Sequence, residues 1–257
     1  MMDALDTQKL EREVTAMYRD VATAADAERH FETGRDLAER LGYDAADLQF
    51  VPDAAIDSFA GVGNAFDLAA LEPGESVLDL GSGSGTDAFV AALRVTETGS
   101  VAGVDMTPEQ VAKARDLAAD GGFHTVEFRE ERIESLPFDD DAFDAVLSNG
   151  VINLSPEKGR VFEEAARVLR PGGRLAISDI VSEAQLPERI KTDADLWAAC
   201  IGGAEQVDRY TDLIEAAGFE VDAIRANDEY AFTSDRAENA CQTYGVRSVS
   251  LCARMEA

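Results

Sequence analysis

Short apolar runs alternate with longer amphipathic stretches through the middle of the chain. Val77-Leu78-Asp79-Leu80, Val101-Ala102-Gly103-Val104-Asp105 and Phe143-Asp144-Ala145-Val146-Leu147-Ser148 are rich in valine, leucine and alanine and are bounded by turn residues. Such runs read as buried strands. Strands are predicted near 76–80, 101–105, 124–128, 143–148 and 173–179, and helices near 86–95, 108–119 and 157–169. This alternation predicts an α/β protein, with a mostly parallel twisted sheet covered by helices on both faces. Right-handed crossovers would then put a ligand at the carboxyl ends of the strands, where the strand order reverses. A helix over 208–217 and two late strands, near 219–225 and 246–253, would close the sheet. Ahead of the core, Leu10, Val14, Met17 and Val21 recur at helical spacing and predict a helix from Asp6 to Asp26. A second helix is predicted from Phe31 to Leu41, stopped by Gly42. Residues 1–70 are expected to form an N-terminal helical cap, or else to complete the outer layer of the sheet. Residues 71–257 form the main domain, with an insertion at about 181–206 that holds Trp197 and Cys200.

The first core strand runs into Gly81-Ser82-Gly83-Ser84-Gly85, and a helix follows at once. Glycines let the backbone turn sharply and approach a ligand with no side chain between. The helix N-terminus offers free N–H groups and positive dipole. The next strand ends in Asp105, an acid suited to a ribose diol. The spacing is G-x-G-x-G, not the G-x-G-x-x-G of a dinucleotide fold, and Asp79 stands two residues before the first glycine. An acid there suits a cofactor with an amino group better than one with a pyrophosphate. A nicotinamide-binding domain would place the third glycine one position later and add a separate catalytic domain. The chain shows neither.

Charge narrows the partners. The 257 residues carry 23 basic and 51 acidic side chains, a net charge of −28. The acids are dispersed, and only Lys9, Lys113, Lys158 and Lys191 are lysines. Phosphate contacts need clustered Lys and Arg, so nucleic acid is excluded as a substrate. Dispersed acid with scarce lysine resembles proteins of salt-in halophiles, in which concentrated salt screens the repulsion between like charges. No apolar run is long enough to span a membrane. Met1-Met2-Asp3-Ala4-Leu5-Asp6 does not read as a signal peptide, so a cytoplasmic location is expected. The three cysteines, Cys200, Cys241 and Cys252, form no C-x-x-C, and His30 and His124 are far apart, so no metal site is expected. His124 is read as opening a strand in a structural role. The sequence does not fix the oligomeric state.

The segment Val77 to Gly85 with Asp105, then Phe143 to Asn149, then Leu169-Arg170-Pro171-Gly172-Gly173-Arg174-Leu175, resembles class I methyltransferases in the family's own order. The resemblance implies a Rossmann-like fold with S-adenosyl-L-methionine (SAM) as cofactor and a small-molecule methyl acceptor. It implies that Gly81, Gly83 and Gly85 offer backbone to the methionyl end, and that Asp79 reaches the ammonium. Asp105 would take both ribose hydroxyls, and Met106 would pack on the adenine. The segment Glu131 to Phe138 resembles the family's adenine edge, with Ile133 on the ring and Glu134 near the amino group, the alternative being a plain surface loop. Asn149, at the end of the fourth predicted strand, is a candidate for cofactor binding and for catalysis.

A narrower resemblance is to arsenite methyltransferases. It rests on Ser148 to Lys158, Gly103 to Gln110, Ile177-Ser178-Asp179-Ile180, Leu196 to Ala204 and Ala240 to Gly245. That family binds trivalent arsenic through cysteine thiolates, since a soft centre prefers sulfur. One such cysteine follows the Ser-Asn of strand four, where this chain has Gly150. Another lies between two glycines ahead of the core, where this chain reads Gly61-Val62-Gly63. Cys200 keeps its place, as a ligand or catalytic nucleophile or as a small apolar residue. The expected function is SAM-dependent methylation of a small molecule. Arsenite, or another metabolite with a quinone-like or other oxygen, carbon or sulfur acceptor, remains open, as does a SAM-binding subunit without catalysis.

Overall fold

The computed structural model describes residues 7–23, 31–191, 196–197, 200–233 and 235–256. Helices α1 (Thr7–Thr23), α2 (Arg35–Arg40), α3 (Ala45–Leu48), α4 (Asp53–Ile56) and α5 (Phe66–Ala69) precede the first strand. The strands are β1 (Ser76–Leu80), β2 (Ser100–Asp105), β3 (Val126–Glu130), β4 (Phe143–Asn149), β5 (Leu169–Ser182), β6 (Glu205–Gln206), β7 (Phe219–Ala226) and β8 (Arg247–Met255). They form one sheet in the order β3-β2-β1-β4-β5-β8-β7, with β6 beside the end of β5. The pairs from β3 across to β5 are parallel, and β8 runs antiparallel between β5 and β7. The order reverses between β1 and β4, which places the ligand crevice at the carboxyl ends of those two strands.

Side-chain alternation along β1 assigns its faces. Val77 packs with Phe89, Val101, Val111 and Phe128 under α6 (Thr86–Val95) and α7 (Pro108–Gly121). Leu78 and Leu80 pack on the other face with Val146, Val161, Phe162 and Tyr210, under α8 (Lys158–Val168) and the helix Val207–Ala216. Both faces are therefore dry, which explains why the core strands read as continuous apolar runs.

The N-terminal part is one long helix followed by short ones. The predicted helix over 6–26 is seen as Thr7–Thr23, and its other positions and His30 lie outside the described residues. This helix packs on α7. Between Arg35 and Ala69 come the helices Arg35–Arg40, Ala45–Leu48, Asp53–Ile56 and Phe66–Ala69. They send Leu37, Leu48, Ile56 and Phe66 into the same core as α6 and α7. Arg174 of β5 anchors the segment, donating to the carbonyls of Ala69 and Ala70 and pairing with Glu75 at 2.6 Å.

Three details differ from expectation. β3 begins at Val126, and His124 lies in the turn after Gly122, whose positive φ of 73° ends α7. β5 extends beyond the predicted strand at both ends. An unpredicted helix, Asp235–Tyr244, precedes β8. Residues 192–195 and 198–199 of the predicted insertion lie outside the described residues.

Candidate active site

The crevice at the switch point is a cleft of about 950 Å³, its open mouth included. The turn from β1 to α6 forms its floor. Gly81, Gly83 and Gly85 all have positive φ, at 68°, 52° and 97°, a region that costs other residues strain. A Cβ on Gly81 would lie 2.6 Å from the Val151 side chain. Asp105, at the end of β2, clamps the turn: its Oδ2 accepts the Gly83 N–H at 3.0 Å and its Oδ1 the Thr107 N–H at 2.8 Å. A carboxylate with one bond on each oxygen keeps lone pairs for a diol.

Most of the expected residues meet on this cleft. Asp79, Gly81, Gly83, Asp105, Met106, Ile133, Glu134 and Asn149 all line it. Gly85 stands behind the wall: a Cβ there would meet Phe128 at 2.7 Å and Phe89 at 2.9 Å, so glycine is required for packing under α6. Glu134 is held by Ser155, whose Oγ donates at 2.6 Å, and by Arg132 at 3.4 Å. Asp87 and Tyr43 were not foreseen. Asp87 sits in the first turn of α6 and accepts from the Tyr43 hydroxyl at 2.5 Å and from Asn149 Nδ2 at 3.0 Å. An acid just after a glycine turn was a readable signal, but nothing local marks Tyr43.

Asn149 is committed within the chain. Its Oδ1 accepts from Val62 N at 2.8 Å, and its Nδ2 also donates to Gly63 O at 2.9 Å and to Tyr43. These bonds tie the Asn149 side chain to the Gly61–Gly63 turn. Cys200 is likewise set back. It is buried and does not line the cleft; its Sγ donates to Gly150 O at 3.7 Å and meets the Tyr18 hydroxyl. Burial and the Asp179 charge push this thiol up to about 12, so it stays protonated at neutral pH. Asn153 Nδ2 holds the Cys200 carbonyl at 2.7 Å. Cys200 has a φ of 60°, which few side chains adopt.

The positions at which the resemblance implies arsenic-binding cysteines converge. A Cβ on Gly150 would stand 3.3 Å from Val62 Cγ1, and Cys200 Sγ lies against the Gly150 carbonyl. Only Cys200 supplies sulfur. Cys241 shares the apolar cluster of Cys200, whereas Cys252 faces Ala176 across the β5–β8 ladder. Among the described residues no group of three His, Cys, Asp or Glu could hold a metal ion.

The polar groups suit a cationic amino-acid cofactor. Asp79 lines the cleft and is 2 % exposed, and its Oδ2 is buried with no hydrogen-bond partner. Burial, then the charges of Asp87 and Asp105, raise its carboxyl well above the ordinary value. Burial raises Asp87 to about 6 and also raises Asp105. Three carboxylates that repel one another favour a positive ligand.

A family model described as a methyltransferase domain matches residues 71–218. The chain belongs to the methyltransferase domain family. The family and the cleft together make S-adenosyl-L-methionine its cofactor. The chain is 49 % identical over 205 residues to an arsenite methyltransferase of Halobacterium salinarum, covering 79 % of this chain and 52 % of that protein. It thus spans about half the length of that relative. An arsenic (III) S-adenosylmethionine methyltransferase from Chlamydomonas reinhardtii is similar in structure. Its TM-score is 0.65 at 30 % identity, over 88 % of this chain and 75 % of that one. The [4+2]-cyclase SpnF shares the fold, with a TM-score of 0.63 at 23 % identity over 96 % and 95 % of the two chains.

Proposed function

We propose that this chain transfers a methyl group from SAM to a small molecule held beneath the N-terminal helix, and that inorganic arsenite is a poor acceptor. SAM supplies a methyl group on positively charged sulfur. Asp79 would hold the ammonium, Asp105 the ribose, and Met106 and Ile133 the adenine. Val14 and Tyr18 of the helix Thr7–Thr23 line the cleft and would exclude water from the reacting end.

The observation that carries the reading of the acceptor is the meeting of Val62, Gly150 and Cys200. A soft trivalent centre needs several sulfur ligands, and two of the three positions, Val62 and Gly150, offer no sulfur. The remaining sulfur is held as a thiol, whereas the thiolate is the ligand and the nucleophile. A metabolite presenting oxygen, carbon or sulfur, a quinone-like ring among them, is the acceptor class we assign. The net charge of −28 and the relative from a halophile support a cytoplasm of concentrated salt as the working environment. Arsenic speciation after incubation with SAM, arsenite and excess thiol tests the reading. Little methylated arsenic is expected; rapid turnover abolished by Cys200→Ser would overturn it.

A further inference from the structure

The carboxylates of the cleft come from three elements and are tied to both ends of it. Asp79 hangs from β1 and Asp105 from β2, while Asp87 stands in the first turn of α6. One oxygen of Asp79, a residue of the cleft lining, accepts the Ala88 N–H, and the other, Oδ2, is buried without a partner. Asp87 takes the Tyr43 hydroxyl and the Asn149 amide, so its carboxylate is joined to the turn that carries Val62. The other ionisable groups on the cleft are Tyr18 of the helix Thr7–Thr23 and Glu131, Arg132 and Glu134 on the opposite loop, where Arg132 pairs with Glu134. Among the described residues no cationic side chain pairs with Asp79. Burial and repulsion from two other acids both favour the protonated form of such a carboxyl.

We propose that Asp79 and Asp87 together hold a proton in the empty cleft, that an ammonium-bearing ligand expels it, and that Asp87 sets the pH at which this happens. The inference rests on the SAM reading of the cleft. The raised values of both groups, about 6 for Asp87, agree with it. The sign follows. Above the pH at which the empty cleft loses the proton, binding is independent of pH. Below it, binding must displace the proton, and affinity falls by up to about tenfold per pH unit. Asp87 acts here as a positioning residue through its charge. Removing that charge should lower the Asp79 titration. Removing the Tyr43 hydroxyl, which donates to Asp87, should raise the titration of the pair.

Calorimetry with S-adenosylhomocysteine tests this without turnover. Titrations of the full chain between pH 5 and 8, in buffers of different ionisation enthalpy, count the protons released. Wild type should release up to one proton below the pH at which the pair ionises, with affinity falling there. Asp87→Asn should shift the release to lower pH and Tyr43→Phe to higher pH, and circular dichroism will show that each variant folds. Asp79→Asn should abolish the release. Tight binding with no buffer-dependent heat at any pH would overturn the proton linkage and leave the cofactor reading intact. Shifts of both variants in the same direction would overturn the role of Asp87. No binding at any pH would overturn the cofactor reading, and the linkage with it.

Discussion

Restoring sulfur at the acceptor end should create an arsenic site that the wild-type chain lacks. The perturbation is Gly150→Cys, alone and with Val62→Cys. Gly150 has a φ of 74° and its added Cβ would sit 3.3 Å from Val62 Cγ1. A side chain in the left-handed region costs about 1–2 kcal/mol. For a domain of this size that corresponds to a melting temperature lower by roughly 2–8 °C. Val62→Cys removes one of the two methyls that crowd the new side chain, so the double variant should be less destabilised than the two single changes sum to. The gain is in binding. Once one sulfur holds arsenic, the second contact is intramolecular, and a linked second site typically raises affinity by about 10²–10⁴-fold. Arsenite titration of wild type, both variants and Cys200→Ser in the Gly150→Cys background measures this directly. Arsenite should bind tightly only where two sulfurs meet. If the folded double variant binds arsenite no tighter than wild type, or the Gly150→Cys variant is unaffected by Cys200→Ser, the geometric argument fails.

Two further outcomes are expected. Asp105→Ala should weaken S-adenosylhomocysteine binding by about 1–3 kcal/mol in calorimetry, because Gly83 N–H, Thr107 N–H and the ribose lose a charge-assisted acceptor together; unchanged affinity would remove Asp105 from the site. Molar potassium chloride should raise the melting temperature by screening the surface acids, and a melting temperature indifferent to salt would count against the halophilic reading.

The strands and helices that build the cofactor end were legible because their signals are local. β1, β2 and β4 are buried on both faces, so their apolar runs stand out, and the glycine turn between β1 and α6 lies in consecutive residues. The region from Arg35 to Ala69 was less legible: its helices are four to six residues long, too short to show a period. His124 was misplaced because a turn, not a strand, follows Gly122. At the site, Asp79 and Asp105 carry their meaning in the motif, whereas Tyr43 becomes relevant only when folding brings it to Asp87 and Asn149. The sequence suggested that Val62 and Gly150 stand where sulfur is absent. That the two positions touch each other and adjoin Cys200 is a tertiary fact.

The two ends of the cleft have different origins in the chain. The residues assigned to the cofactor lie on or just after three neighbouring strands, fixed by the sheet. The far end is assembled from Val14 and Tyr18, the turn from Ser58 to Gly61, and the segment from Gly150 to Ser155, with Cys200 behind it. None of those pieces belongs to a core strand. A lineage can therefore exchange what it methylates by altering loops and one surface helix, while the donor's berth is inherited unchanged. Shared ancestry across the sheet then says much about the methyl donor and little about the molecule that receives the group.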